Sequence, residues 1–164
     1  RNTLRRAPRV YRILVGINGA SFVSAEDVAI TGALSVALSQ LFQRGGDRTE
    51  IAIFSYTRGI NRMRENCIEY CTVKRPQEAI NIPLLSVAVA CTATMRYALM
   101  AHEAHSIPDC THGMGSPCDP SSVAHLAPRN PRAVDIIVPP IHDIRSAREF
   151  ITRQTEKINK EGTV

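Results

Sequence analysis

The sequence predicts an α/β domain, a three-layer Rossmann-like sandwich with a mainly parallel sheet. Three observations lead there. Short apolar runs without a helical period recur at Tyr11–Ile17 (YRILVGI), Glu50–Tyr56 (EIAIFSY) and Val134–Val138 (VDIIV), the pattern of strands buried on both faces. Between the first two runs lies a stretch of helical period with stop signals at both ends. The chain is 164 residues long and 44% apolar, enough for one core and one domain.

Each element follows from local signals. After the first strand, Asn18–Phe22 (NGASF) reads as a turn, and Ser24 stands three residues before Asp27 as an acidic capping box. Ile30, Leu34, Ala37, Leu38 and Leu41 then fall on one helical face. Gly45-Gly46 ends that helix by supplying residues that tolerate positive φ. A polar loop over Thr57–Arg64 follows the second strand. Cys67–Lys74 (CIEYCTVK) alternates imperfectly, as expected of a strand near the sheet edge. Asn81 can cap the next helix, with Pro83 tolerated in its first turn. That helix is expected from Leu84 to about His102 and, being apolar almost all round, to be covered on more than one side. Thr92, Thr94 and Arg96 interrupt the run, so it reads as a buried helix and not a membrane span. Residues 106–131, with five prolines, form a long irregular loop. After the last strand, Ser146 is expected to cap a final helix with Glu149 three residues on, and Ala147, Phe150, Ile151 and Ile158 supply its apolar stripe. Helical crossovers between strands imply parallel pairing.

Charge is uneven. Lys plus Arg is 20 against 15 Asp plus Glu. Arg1, Arg5, Arg6, Arg9 and Arg12 fall in the first twelve residues without an acid among them. Residues 1–10 are therefore expected to be a basic flexible arm preceding a single domain over 11–164. Nucleic acid is a possible partner only through that arm, by contacts to phosphate. The five cysteines show no dense framework, and no leader or membrane span is expected. Reduced thiols in a cytoplasmic setting follow.

Open parallel sheets bind ligands beyond the carboxyl ends of their strands. Asn18, Ser21, Ser55, Thr57, His142 and Asp143 occupy those positions and form the candidate binding edge. The same residues also serve ordinary loops and caps. Other chemistries find less support. Gly16-Ile17-Asn18-Gly19 is not a dinucleotide fingerprint, and no phosphate-binding loop of P-loop type occurs. His102, His105, Cys110, His112, Cys118 and His125 are acceptable zinc ligand types, but no C-x₂-C pair organises them. No nucleophile elbow marks a catalytic serine. No catalytic residue, metal ligand or cofactor is therefore assigned.

The strings RILVGINGASFVSAEDV, GALSVALSQLFQRGGDRTEIAIF and VKRPQEAINIPLL resemble von Willebrand factor A-like domains, and among these the uncharacterised proteins of tailed bacteriophages and prophages. The resemblance covers about Arg12–Lys157. It implies a phage-type accessory protein, located in a host cytoplasm or in a virion. It also implies an Asp-x-Ser-x-Ser metal motif after the first strand. Here one register places Ile17 and Gly19 at the acid and first serine, and the other places Ala20 and Phe22 at the serines, so the motif is degenerate. The expected function is non-catalytic protein–protein interaction, through a partner or self-assembly. The alternatives are a small metal-dependent hydrolase or nuclease using His142 and Asp143, and a structural subunit of a virion.

Overall fold

The computed structural model describes residues 7–16, 24–57, 67–91, 133–139 and 141–161. Its elements run β1 (Val10–Gly16), α1 (Ala25–Arg44), β2 (Arg48–Thr57), β3 (Cys67–Lys74), α2 (Ile82–Ala90), β4 (Ala133–Val138) and α3 (Ile144–Glu161). The strands form one sheet of order β3-β2-β1-β4. β1 pairs in parallel with β2, from Val10↔Arg48 to Gly16↔Phe54, and with β4, from Val10↔Ala133 to Val15↔Val138. β3 runs antiparallel to β2 and lies at the edge of this sheet, with a register shift at Ile51/Ala52. The fold is thus mixed α/β with a mostly parallel sheet. Its order coincides with the start of the doubly wound Rossmann order 3-2-1-4. Among the described residues no helix is long and apolar enough to cross a membrane.

β1, Arg12 included, is buried from Tyr11 to Val15: strands flank it on both sides, and the described helices cover one of its faces. Tyr11, Ile13 and Val15 point to the main core. There they meet Leu34, Leu38 and Phe42 of α1, Leu85 and Val89 of α2, and Ala147 and Phe150 of α3. All three helices therefore pack on one face of the sheet. The opposite face carries a smaller cluster, Leu14, Ala52 and Phe54, with Tyr70 and Ile137 against it.

Most element signals hold, with instructive exceptions. Ser24 caps α1 through a full capping box with Asp27, and Gly46 (φ 86°) supplies the left-handed residue that turns the chain into β2. The buried face of α1 is rotated from the one apolar spacing indicates. Ala37 and Leu41 are exposed, whereas Thr31, Ser35, Ser39 and Phe42 are buried. Phe42 stacks on Tyr11 with ring centroids 4.5 Å apart. Ser35 Oγ donates to the Thr31 carbonyl, and Ser39 Oγ is hydrogen-bonded to Thr49 Oγ1. Small satisfied hydroxyls let α1 lie close to the sheet, so polarity does not keep them outside.

α2 starts at the expected cap, with Asn81 Oδ1 accepting from the Leu84 N–H. It ends at Ala90, with Cys91 extended, well short of the expected His102. Nor is it covered all round: Leu85 and Val89 are buried, but Ile82, Leu84 and Val87 are about half exposed. The cap of α3 is Asp143 and not Ser146. Asp143 Oδ1 accepts from the Ser146 N–H at 2.7 Å, while Glu149 pairs with Arg145 one turn away. The stripe of α3 is as expected, with Ala147 and Phe150 buried and Ile151 and Ile158 packed against the core.

Arg12 belongs to the sheet and not to a solvated basic terminus. It is 2% exposed in the middle of β1. Arg9, just before β1, is also fastened: its N–H donates to Asp47 Oδ1 at 2.9 Å, and its carbonyl accepts from the Arg48 N–H at 2.8 Å. Residues 1–6, the loop over 106–131 and all the histidines and cysteines of the zinc reading lie outside the described residues.

Candidate functional site at the carboxyl edge

The order in which strands are added reverses at β1. The chain leaves β1 through α1 to β2 on one side, and returns later as β4 on the other. The gap beyond the carboxyl ends of β1 and β4 is therefore the place where an open sheet of this kind leaves room for a ligand. Val15↔Val138 is the last β1–β4 pair, so Gly16 and Pro139 open onto it side by side.

The segment after β4 is anchored to α1. Ile141 is buried, and its N–H donates to Thr31 Oγ1 at 3.4 Å. His142 then reaches the first turn of α1, with Nδ1 3.4 Å from Asp27 Oδ1. Its side chain is 62% exposed, so this contact is a solvated one of small energetic worth. Asp143 follows and begins α3. The amino ends of α1 and α3 thus flank one strand-end loop.

The two carboxylates here are already engaged. Asp27 Oδ2 accepts from the Ser24 N–H at 2.9 Å, while the Asp27 N–H donates to Ser24 Oγ at 3.0 Å. Asp143 takes the Ser146 N–H, and its second oxygen accepts from Ser146 Oγ at 3.0 Å. These bonds favour the charged form. The Ser24 amide, then its hydroxyl and His142, hold Asp27 below the usual carboxylate range. The Ser146 amide and hydroxyl do the same for Asp143. Hydrogen bonds that favour the charged form make these carboxylates weaker proton acceptors than ordinary ones. Their position suits a second role: acids in the first turn oppose the helix dipole and use its unpaired N–H groups.

Of the six residues expected at this edge, His142 and Asp143 follow β4 next to each other, turned to different partners. Ser55 and Thr57 lie in the last residues of β2, paired with Glu69 and Cys67 of β3. They are on the far side of β1 from His142, about two strand spacings or ~10 Å across the sheet. Asn18 and Ser21 lie outside the described residues. Asp27 and Thr31 were missed as the groups that hold the loop after β4. The S-x-x-D spacing at Ser24 flags a cap, and nothing in the sequence connects that cap to His142. Among the described residues no group of three or more His, Cys, Asp or Glu side chains is placed to hold a metal ion.

A second polar constellation lies across the opposite sheet face. Arg12 Nε and Nη2 donate to Asp135 Oδ1 and Oδ2 at 2.8 and 2.7 Å, a bidentate pair between β1 and β4. The guanidinium carbon stands 5.9 Å from the centroid of the Tyr70 ring, and the Tyr70 hydroxyl donates to Glu50 at 2.8 Å. The Asp135 hydrogen bonds outweigh burial and hold Arg12 still more firmly charged than usual. Burial, reinforced by Glu50, pushes the Tyr70 phenol up. This row crosses all four strands and ties the sheet together laterally. Its signal was in the sequence: a single charge stands near the start of each apolar run, Arg12 in VYRILVG and Asp135 in AVDIIV, and parallel pairing sets them opposite each other.

Residues 1–162 match the model of a family described as a domain of unknown function (DUF7192), and the chain belongs to that family. No curated protein matches it.

Proposed function

We propose that this member of the DUF7192 family is a non-catalytic binding domain that engages a protein partner, or a second copy of itself, through the carboxyl edge of its sheet. The observation that carries the reading is the state of Asp27 and Asp143. Both carboxylates at the edge are committed to helix caps, and the exposed His142 between them is left to face a partner. Asn18, Ser21, Ser55 and Thr57 are included in the proposed surface as the sequence reading has them. The finer fold is part of the same proposal: a three-layer sandwich of von Willebrand factor A-like type, serving as a phage accessory protein. The strand order and the burial of Leu14, Ala52 and Phe54 on the face away from the described helices support a further layer there.

The test is cross-linking and affinity capture with the full chain, comparing wild type with His142→Ala and Ser24→Ala. A partner or self-contact that is captured by wild type and Ser24→Ala, and lost with His142→Ala, is the expected result. Hydrolysis of phosphodiester substrates in added magnesium or manganese, abolished by Asp143→Asn, would refute it in favour of a metal-dependent nuclease.

A further inference from the structure

The opposite end of the sheet, its amino edge, gathers arginines from four separate stretches of chain. Arg9 precedes β1, Arg44 closes α1, Arg48 opens β2 and Arg75 follows β3. Their proximity follows from the backbone. Val10 pairs with Arg48, and the Arg48 N–H donates to the Arg9 carbonyl. The Gly45-Gly46 turn keeps Arg44 at the same end, with the Asp47 N–H donating to the Phe42 carbonyl at 3.0 Å. Ile51↔Lys74 sets Arg75 beside the start of β2. Arg44, Arg48 and Arg75 are exposed and Arg9 is half-buried.

Three acids lie at this edge and offset part of its charge, but none of them is paired with Arg44 or Arg48. Asp47 accepts the Arg9 N–H. Glu78 accepts the Arg75 N–H at 2.8 Å and stands 4.0 Å from its guanidinium, an exposed pair. Glu50 accepts from Tyr70 on the face of the sheet away from the helices. Among the described residues neither Arg44 nor Arg48 makes an ion pair.

We propose that this amino edge binds the phosphate backbone of nucleic acid, without reading base sequence. The planar guanidinium fork matches phosphate oxygens, and contacts of this kind position a protein on nucleic acid without conveying sequence. An anionic bilayer fits less well. Stable membrane attachment needs apolar side chains beside the basic ones, and the turn between Arg44 and Arg48 offers only Gly45, Gly46 and Asp47. The surface lies at the end of the sheet away from His142, so it is independent of the partner site proposed above.

The experiment is fluorescence anisotropy of short labelled DNA duplexes of two unrelated sequences, titrated with the full chain over a range of salt. Wild type is expected to bind both alike, with affinity falling steeply as salt rises. Arg44→Glu/Arg48→Glu is expected to weaken binding and to lower the log–log salt slope by about 2, near one per lost phosphate contact. Arg44→Lys/Arg48→Lys is expected to keep most of the slope. A chain lacking residues 1–6 is expected to remain sensitive to Arg44→Glu/Arg48→Glu. Both arginines are exposed, so unchanged thermal unfolding should accompany the loss. The proposal is overturned by absence of binding at low salt, or by equal binding of wild type and Arg44→Glu/Arg48→Glu. Selectivity between the two duplexes, or binding to phosphatidylserine vesicles in preference to DNA, also overturns it.

Discussion

Removing Asp135 should destabilise the fold more than removing Arg12, although Asp135 is the more exposed partner. The Arg12 side chain is 3% exposed and that of Asp135 is 36% exposed. Asp135→Ala takes away both oxygens that meet the guanidinium at 2.8 and 2.7 Å, leaving a buried cation without its bidentate acceptor. Breaking a buried pair from one side costs about 3–5 kcal/mol. The partial exposure of Asp135 lets water into the gap and brings the expectation down to about 2–4 kcal/mol. Arg12→Met is different: Met fills much of the stem volume, and the remaining carboxylate can turn to water. Its loss is the contact with the Tyr70 ring, about 0.5–1 kcal/mol, with the net worth of the pair added, for a total of about 1–2 kcal/mol. The double variant should lie close to Arg12→Met, giving a coupling as large as the Asp135→Ala loss itself, about 2–4 kcal/mol. Urea unfolding at neutral pH, read as midpoint shifts at constant m-value, measures all three. Equal losses for the two single variants, or a larger loss for Arg12→Met, would refute the argument from burial asymmetry.

The other expectations rest on separate groups. Ser24→Ala should cost about 1 kcal/mol, the usual worth of an N-cap, without altering partner capture; chemical denaturation gives the first and affinity capture the second. Asp27 and Asp143 are both held below the ordinary carboxylate value of 3.8, so the stability they confer is complete above that pH and is lost as pH falls through their folded values. Replacing each by Asn should therefore flatten the acid limb of a stability–pH profile. Tyr11→Phe should be neutral or stabilising by up to about 1 kcal/mol, because the buried Tyr11 hydroxyl has no hydrogen-bond partner among the described residues; a clear loss in urea would contradict this. Lys74 is buried, and burial pushes its amine below 10.5. The penalty for its charge is fully present below the folded value and is relieved as pH rises toward 10.5, so wild type should gain stability over that window relative to Lys74→Met. Lys74→Met should lose about 1–2 kcal/mol at neutral pH, since the Nζ donates to the Thr49 and Arg75 carbonyls at 2.6 and 3.1 Å.

Strands and caps were legible because their signals are local. An apolar run such as ILV in β1 has few alternatives once glycine and polar turns bound it. Ser24/Asp27 and Asn81 satisfy amides only three residues away. Where two local solutions compete, spacing alone does not choose. Ser146/Glu149 and Asp143/Ser146 both have the three-residue interval, and the structure uses the second. Its aspartate is charged and meets both the amide and the hydroxyl of Ser146, whereas Glu149 finds Arg145 on the exposed surface of the helix. The rotated face of α1 fails for another reason. A hydrophobic count rewards Leu41 and penalises Ser35 and Ser39, yet each buried serine has a hydrogen-bond partner and takes little room.

Long-range pairing is the harder part, and it governs the site. His142 and Asp27 are 115 positions apart, and Arg12 and Asp135 are 123 apart. Neither pair is detectable by any periodicity within an element. The second becomes readable once β1 and β4 are set parallel, because register then fixes which side chains share a level across the sheet. The first depends on a loop, where no register applies, and on a carboxylate whose local role is already explained by its cap. A residue that completes a local motif gives no sequence signal for a second role, so Asp27 reads as structural until the loop after β4 is seen beside it. The arginines of the amino edge follow the same rule. Arg44, Arg48 and Arg75 each look like ordinary punctuation at the end of an element and Arg9 like part of the basic arm, and they become one surface only because parallel strands bring Arg9 and Arg48 to the same end. The salt dependence of DNA binding by Arg44→Glu/Arg48→Glu therefore tests a consequence of topology that composition alone would have assigned to the arginines of the first six residues.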